Sequence, residues 1–159
     1  QMAEGRTGAL LGCAFELGGL LGTAAVSVLS PLREAGIKLG VALQIREDVV
    51  QLWGLPSGQM PPGDVLSKKK SLPVVYALQD TTGIRKREIA SLFFKRVLEP
   101  ADVPILSEFL ESVGAREYAE ETATRFHGEA LGILDELGLR SESMVELRQL
   151  VEHLMQLES

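Results

Sequence analysis

The sequence has a single cysteine, Cys13, and only two histidines, His127 and His153. An internal disulfide is therefore excluded, and these three residues cannot complete a Cys/His zinc site. Positive charge is in the minority. Sixteen Lys and Arg stand against 22 Asp and Glu, and the net charge of -6, with a pI near 5.0, opposes the phosphate attraction on which nucleic-acid binders depend. Alternating strand-like stretches are nearly absent, as are repeats of fixed period and low-complexity segments. The opening Gln1-Met2-Ala3-Glu4 has neither the basic start nor the small-residue cleavage site of a secretory signal, and no methionine stands first. The expectation is an intracellular, cytoplasmic protein whose chain begins mid-sequence. Residues 7–29 carry one charge, Glu16, so a transmembrane helix has to be weighed. Five glycines in that stretch are costly in a helix unless something packs on their bare backbone, and a central carboxylate disfavours lipid. A helix buried inside an all-helical protein is expected instead.

What the sequence does contain is apolar residues at helical spacing almost throughout. At 159 residues, 45% hydrophobic and 24% charged, with a mean hydropathy of +0.12, it can build a sizeable core and fits one all-α region, residues 1–159. Ser30 and Pro31 read as N-cap and first residue of a helix running to about Trp53, with Leu32, Gly36, Leu39, Leu43 and Val50 near one face. Gly54 ends it. Residues 55–64 hold three prolines and two glycines and are expected to form a loop, which makes them the first region to suspect of function. After the basic run Lys68-Lys69-Lys70, Ser71 can cap a short apolar helix that tolerates Pro73 in its first turn. Amphipathic helices are expected over about 86–98, 101–113, 116–137 and 142–157.

Chemistry concentrates at Gln44, Glu47, Asp48 and Gln51, whose spacings of three and four share one helix face. Such a stripe is commonly just the solvated side of a surface helix. Adjacent carboxylates are also hard oxygen ligands, and magnesium commonly bridges one or two of them to substrate phosphates. Asp64 and the lysine run arrive after a loop able to fold back over the helix end, a combination suited to a metal-held diphosphate. The remaining candidates read as bland: Cys13 as a small buried thiol, the histidines as surface or capping groups, and Trp53 as packing under the loop.

The string GVALQIREDVVQLWG at 40–54, followed by GDVLSKKKSLPVVYAL at 63–78, resembles the second aspartate-rich region of the trans-prenyl diphosphate synthases, whose typical pattern is FQxxDDxxD, a glycine-lysine loop, an aspartate, a lysine and TLP or SLP. GRTGALL at 5–11 resembles the family's lysine-threonine helix, and residues 126–137 its closing helix. The likeness implies the C-terminal half of an isoprenoid-synthase-type helical bundle. By that likeness Arg6 and Lys69 bind the substrate diphosphate, Thr7 and Gln44 turn oxygens toward the developing allylic carbocation, Glu47 and Asp48 bind Mg2+, and Asp64 supports the metal's waters. It further implies condensation of isopentenyl diphosphate with an allylic diphosphate, by a homodimer or by pairing with a missing N-terminal half.

Several positions depart from the family pattern. Arg6 replaces a lysine with a planar guanidinium, and Glu47 replaces an aspartate with a longer carboxylate. Gln51 removes the third carboxylate, and Gln59 stands where the loop carries a second diphosphate lysine. No DDxxD string occurs. The departures keep a second reading open, a non-catalytic synthase-like partner that tunes an active enzyme. A third, a terpene-cyclising relative, lacks the asparagine-serine metal triad that such enzymes commonly use.

Overall fold

The computed structural model describes residues 4–22, 25–54, 63–66, 69–80, 87, 98–138 and 142–154, and all regular structure among them is helical. A π-helical turn, Glu4–Gly8, leads into α1 (Ala9–Leu21). The long α2 (Val26–Trp53) follows, then the short α3 (Gly63–Leu66) and α4 (Leu72–Asp80). The described chain closes with α5 (Asp102–Ser112), α6 (Ala115–Glu136) and α7 (Glu142–Leu154). The chain divides into two compact units. The first takes Gln1–Ile45 and Thr122–Ser159, the second Arg46–Glu121, so α2 and α6 each contribute to both.

In the first unit, Leu32, Ala35 and Leu39 of α2 meet Ala130 and Leu134 of α6 and Val151 of α7. Charge reinforces the seam. The Lys38 ammonium donates to the Glu129 carboxylate at 2.6 Å and lies over the Phe126 ring, and Arg148 of α7 pairs with Asp135 of α6. Four glycines let α1 lie close on α2. A methyl group on Gly12 would come within 2.6 Å of Ile37, one on Gly36 within 2.5 Å of the Leu11 carbonyl oxygen, and one on Gly40 within 2.6 Å of the Gly8 Cα; on Gly19 it would meet the Leu32 side chain. Gly8, Gly12 and Gly19 are thus tolerated because their bare backbone is part of the packing surface, whereas a side chain at Gly18 would meet nothing.

Three expectations for this unit are corrected. Residues 7–29 do not form one buried helix: α1 stops at Leu21, where the Gly22 N–H closes on the Gly18 carbonyl, and its outer face exposes Leu10, Leu17, Leu20 and Leu21. Cys13 lies on that face and is exposed, not buried. The helix expected to open at Ser30-Pro31 begins at Val26 and carries Pro31 inside it. The proline ring removes one donor. Val28 nevertheless packs on the first core, and Leu29 and Leu32 flank Gly19, so tertiary packing holds the turn ahead of the proline. No helix among the described residues is long and apolar enough to cross a membrane.

In the second unit, Leu52 of α2, Val65 of α3 and Val74 and Ala77 of α4 enclose Leu98, with Val103, Leu106 and Leu110 of α5 and Ala115 of α6. The Ser107 hydroxyl donates to the Leu52 carbonyl at 2.9 Å, tying α5 to the last turn of α2, where the helix's own ladder runs out. Asp102 accepts from the Glu99 N–H at the start of α5. Gly114, at φ 74°, makes the left-handed turn into α6 that a side chain would strain. Trp53 packs against this core with the Arg116 guanidinium 5.7 Å from its ring. The helix expected over 86–98 falls outside the described residues except for Arg87 and Leu98.

Candidate functional site

In the first unit the site begins at the π-turn. One more residue per turn than an α-helix requires changes the direction of the side chains it carries, and such turns recur at functional positions. Arg6 and Thr7 lie on it. The turn can sit on α2 because Gly40 faces it, with the Thr7 carbonyl oxygen and the Gly8 nitrogen 2.6 and 2.7 Å from where a Cβ would be. One helical turn further along α2, Gln44 is buried, and the Thr7 hydroxyl donates to its Oε1 at 2.8 Å. The bond fixes the amide: its oxygen is turned to Thr7 and its NH2 points away. Two oxygens with spare lone pairs are thereby held together in a partly buried place, which suits a passing positive charge. Arg6, the neighbour of Thr7, is exposed.

In the second unit the Lys69 ammonium donates to the Asp48 Oδ1 at 3.2 Å. Both side chains are largely withdrawn from water, at 14% and 6% exposure. Asp48 reaches this position from the last turns of α2, Lys69 from the segment just before Ser71 and α4. Removing one member of a pair this dry costs the other a charged contact in a place poor in water, on the order of 3 kcal/mol. One residue before Asp48, Glu47 is exposed, and its Oε1 accepts from the Gln51 amide at 3.0 Å. The position where the family carries its third aspartate therefore holds the neighbouring carboxylate by a hydrogen bond.

Of the expected site residues, then, the structure joins Thr7 to Gln44 and Asp48 to Lys69, and ties Glu47 to Gln51. Asp64 falls in the short helix α3 rather than in a loop, because Val65 is buried in the second core and pulls its neighbours into a turn; its side chain lies outside the described residues, as does Gln59. His127 is half-buried on α6, and its Nε2 is enclosed without a hydrogen-bond partner among the described residues, where a surface or capping role was expected. The glycine seam that seats the π-turn was not among the expected site features. Its signal was present all the same, in glycines four apart at 8 and 12 and again at 36 and 40.

Among the described residues, no three His, Cys, Asp or Glu side chains converge on a metal position. The donors present fit magnesium in one form, with one or two carboxylates sharing the ion with phosphate oxygens of a substrate. Asp48 and its neighbour Glu47 are adjacent carboxylates of the kind such a site would need.

Comparison with known proteins identifies the family. Residues 1–108 match the polyprenyl synthetase family. The chain is 29% identical over 160 residues to the (2E,6E)-farnesyl diphosphate synthase of Mycobacterium tuberculosis, covering 98% of this chain and 45% of that protein. Its structure superposes on a polyprenyl synthetase from Streptomyces coelicolor with a TM-score of 0.80 at 30% identity, over 96% of this chain and 48% of the other. It also superposes on the geranylgeranyl pyrophosphate synthase of Corynebacterium glutamicum complexed with calcium and isoprenyl diphosphate, with a TM-score of 0.77 at 26% identity and the same coverage. The chain thus spans about half the length of the relatives it matches. With its first 108 residues matched by the family's model, the chain belongs to the polyprenyl synthetase family.

Proposed function

We propose that this chain supplies the allylic-diphosphate side of a trans-prenyltransferase, which condenses isopentenyl diphosphate with an allylic diphosphate to give a longer linear prenyl diphosphate. The observation that carries this reading is the buried Asp48–Lys69 pair: residues 21 apart in sequence, one resembling a metal ligand and the other a diphosphate clamp, stand at 3.2 Å. Named relatives support the substrate class, and the Corynebacterium protein's calcium and isoprenyl diphosphate support a divalent cation with a diphosphate.

Within this reading the roles divide as follows. Asp48, with Glu47 beside it, would hold Mg2+, with Asp64 behind it. Bound magnesium would neutralise the departing diphosphate's charge. Lys69 and Arg6 would bind the diphosphate oxygens as fixed cations. Thr7 and Gln44 would hold their oxygens toward the allylic carbon as it gains positive charge, and the buried pairing of the two keeps that dipole in place before reaction begins. Carbon–carbon bond formation follows attack of the isopentenyl double bond on that carbon. A proton is then lost, for which the released pyrophosphate is the nearest strong acceptor. We read residues 1–159 as one all-helical part of a polyprenyl synthetase domain acting in the cytoplasm, as a homodimer or paired with an N-terminal half. The single cysteine supports the location and the exposed leucines of α1 the pairing.

A second reading, the non-catalytic partner subunit, is favoured by one observation: the Gln51 carboxamide occupies Glu47 where a third carboxylate would otherwise serve the metal. Calorimetry on the full polypeptide separates the two. Wild type is expected to bind pyrophosphate only when Mg2+ is present, and Asp48→Ala to lose that binding. If Asp48→Ala binds pyrophosphate as wild type does, the metal assignment is wrong. If wild type shows no magnesium-dependent binding, the partner-subunit reading replaces the catalytic one.

A further inference from the structure

α5 carries a polar side chain where its neighbours are aliphatic. Val103, Leu106, Ser107 and Leu110 are all buried and share one helix face, and the three aliphatic members pack into the second core. An alanine would fill the Ser107 position without taking a hydroxyl out of water. The hydroxyl instead crosses to α2 and donates to the carbonyl of buried Leu52 at 2.9 Å. That carbonyl lies in the last turn of the helix, where the ladder depends on N–H groups four residues on. The Val50 carbonyl finds one at Gly54, but four residues beyond Leu52 stands Pro56, which has no N–H to give. Ser107 supplies the donor that the proline lacks.

Both sides of the Asp48–Lys69 pair are referred to α5. α4 touches it directly, Val74 and Ala77 sharing the core with Val103, Leu106 and Leu110, and Lys69 stands just ahead of α4, its carbonyl accepting from the Ser71 N–H at 2.8 Å. α2 is referred to the same helix through Ser107. Asp48 lies one turn before Leu52, so the Leu52 N–H closes on the Asp48 carbonyl in the helical ladder, and Gln51, which donates to Glu47, is the residue next to Leu52. Resting on the diphosphate reading above, we infer that Ser107 is a positioning residue for that site: its hydroxyl keeps the last turn of α2 helical and fixes where Asp48, Glu47 and Gln51 stand against Lys69. Aliphatic packing is non-directional and tolerates small slides of one helix on another, whereas a hydrogen bond weakens steeply off its axis, so one hydroxyl in the stripe sets the register of α2 on α5. Without it the buried Leu52 carbonyl loses its donor from α5, and the turn opens toward another, taking Gln51 with it.

The experiment measures pyrophosphate binding with Mg2+ present, by calorimetry on the full polypeptide well below its melting temperature, in wild type, Ser107→Ala, Ser107→Thr and Ser112→Ala. Ser107→Ala is expected to bind about fivefold more weakly, the equivalent of one hydrogen bond, and Ser107→Thr, which keeps the hydroxyl, to recover most of the loss. Ser112→Ala is the control. It removes a hydroxyl from the same helix, one that donates to the Phe109 carbonyl at 2.8 Å on the exposed side, and is expected to bind as wild type does. Wild-type affinity in Ser107→Ala, an equal loss in Ser112→Ala, or no recovery in Ser107→Thr overturns the positioning role and leaves the diphosphate reading standing. If wild type itself shows no magnesium-dependent binding, the diphosphate reading falls and the positioning role falls with it. Should Ser107→Ala fail to fold by circular dichroism, Ser107→Cys takes its place, since a thiol keeps the shape of the side chain but donates weakly, with the same expected loss and the same overturning result.

Discussion

Glu129 is held by two cations, Lys38 from α2 at 2.6 Å and Arg125 from its own helix at 3.2 Å. Hydrogen bonding to Lys38, with the charge of both cations behind it, pulls the Glu129 carboxyl below its ordinary 4.5 against the opposing effect of partial burial. A carboxyl depressed by folding adds stability above its unfolded value and loses it as pH falls through the folded value. The α2–α6 seam should therefore weaken on acidification below about pH 4.5, and a Glu129→Gln variant should lose less stability than wild type over that interval in thermal unfolding followed against pH. At this scale the site was legible in part. Asp48 could be singled out as a carboxylate in an otherwise apolar stretch, whereas Lys69 was picked from the run Lys68-Lys69-Lys70 by the family resemblance alone. That Lys69 would choose Asp48 was not legible, since the choice depends on how 21 intervening residues return. Thr7 with Gln44 shows the same limit: each residue matched a family position, but the hydrogen bond between them is a product of packing. Glu47 with Gln51 was the local case, an i, i+4 pair on one helix, and its contact follows from spacing alone.

Among the elements, α1 and α2 are joined by the absence of side chains more than by their presence. A Gly40→Ala substitution should cost about 1–3 kcal/mol, because the new methyl group would meet main-chain atoms of Thr7 and Gly8 that cannot rotate aside. For a chain of this size that is a fall in melting temperature of several degrees, on the order of 2–4 °C per kcal/mol. The same change should displace the π-turn and weaken pyrophosphate binding even where the variant remains folded, and binding measured well below the melting point separates the two effects. Element boundaries were well marked wherever a backbone-specific residue set them. Gly114 separates α5 from α6 and Gly138, also in the left-handed region, follows α6, as the sequence signals. They were misread at Pro31, where proline in the second turn of a helix looks identical in sequence to proline at its start, and only the packing of Val28 and Leu29 distinguishes them. The π-turn left no local trace either, and Gly40, which leaves room for it, lies more than thirty residues away.

For the molecule as a whole, the two cores are built from different pieces of the same helices, and the all-α composition was evident from periodicity alone. What periodicity misjudged was α1, whose near-uniform apolarity reads as full burial but is shared between a glycine-lined packed side and a side with Leu10 at 73% and Leu21 at 84% exposure. A polypeptide of these 159 residues should accordingly bind a hydrophobic dye such as anilinonaphthalene sulfonate while fully folded. Leu17→Glu combined with Leu21→Glu should lower the dye fluorescence without lowering the unfolding temperature, and an unchanged signal would place the exposed surface elsewhere. The glycine seam has a last consequence, for how this sequence can drift. Selection on folding usually guards the bulkiest side chains. Where α1 and the π-turn meet α2 the order is inverted: Gly36 and Gly40, which contribute no side chain, face main-chain atoms and have almost no permitted replacement, while the leucines on the outer face of α1 can change without disturbing this fold. An exchange at Gly12 or Gly19 could be met by a smaller or shifted Ile37 or Leu32, whereas opposite Gly36 and Gly40 there is only main chain, which has nothing to give up.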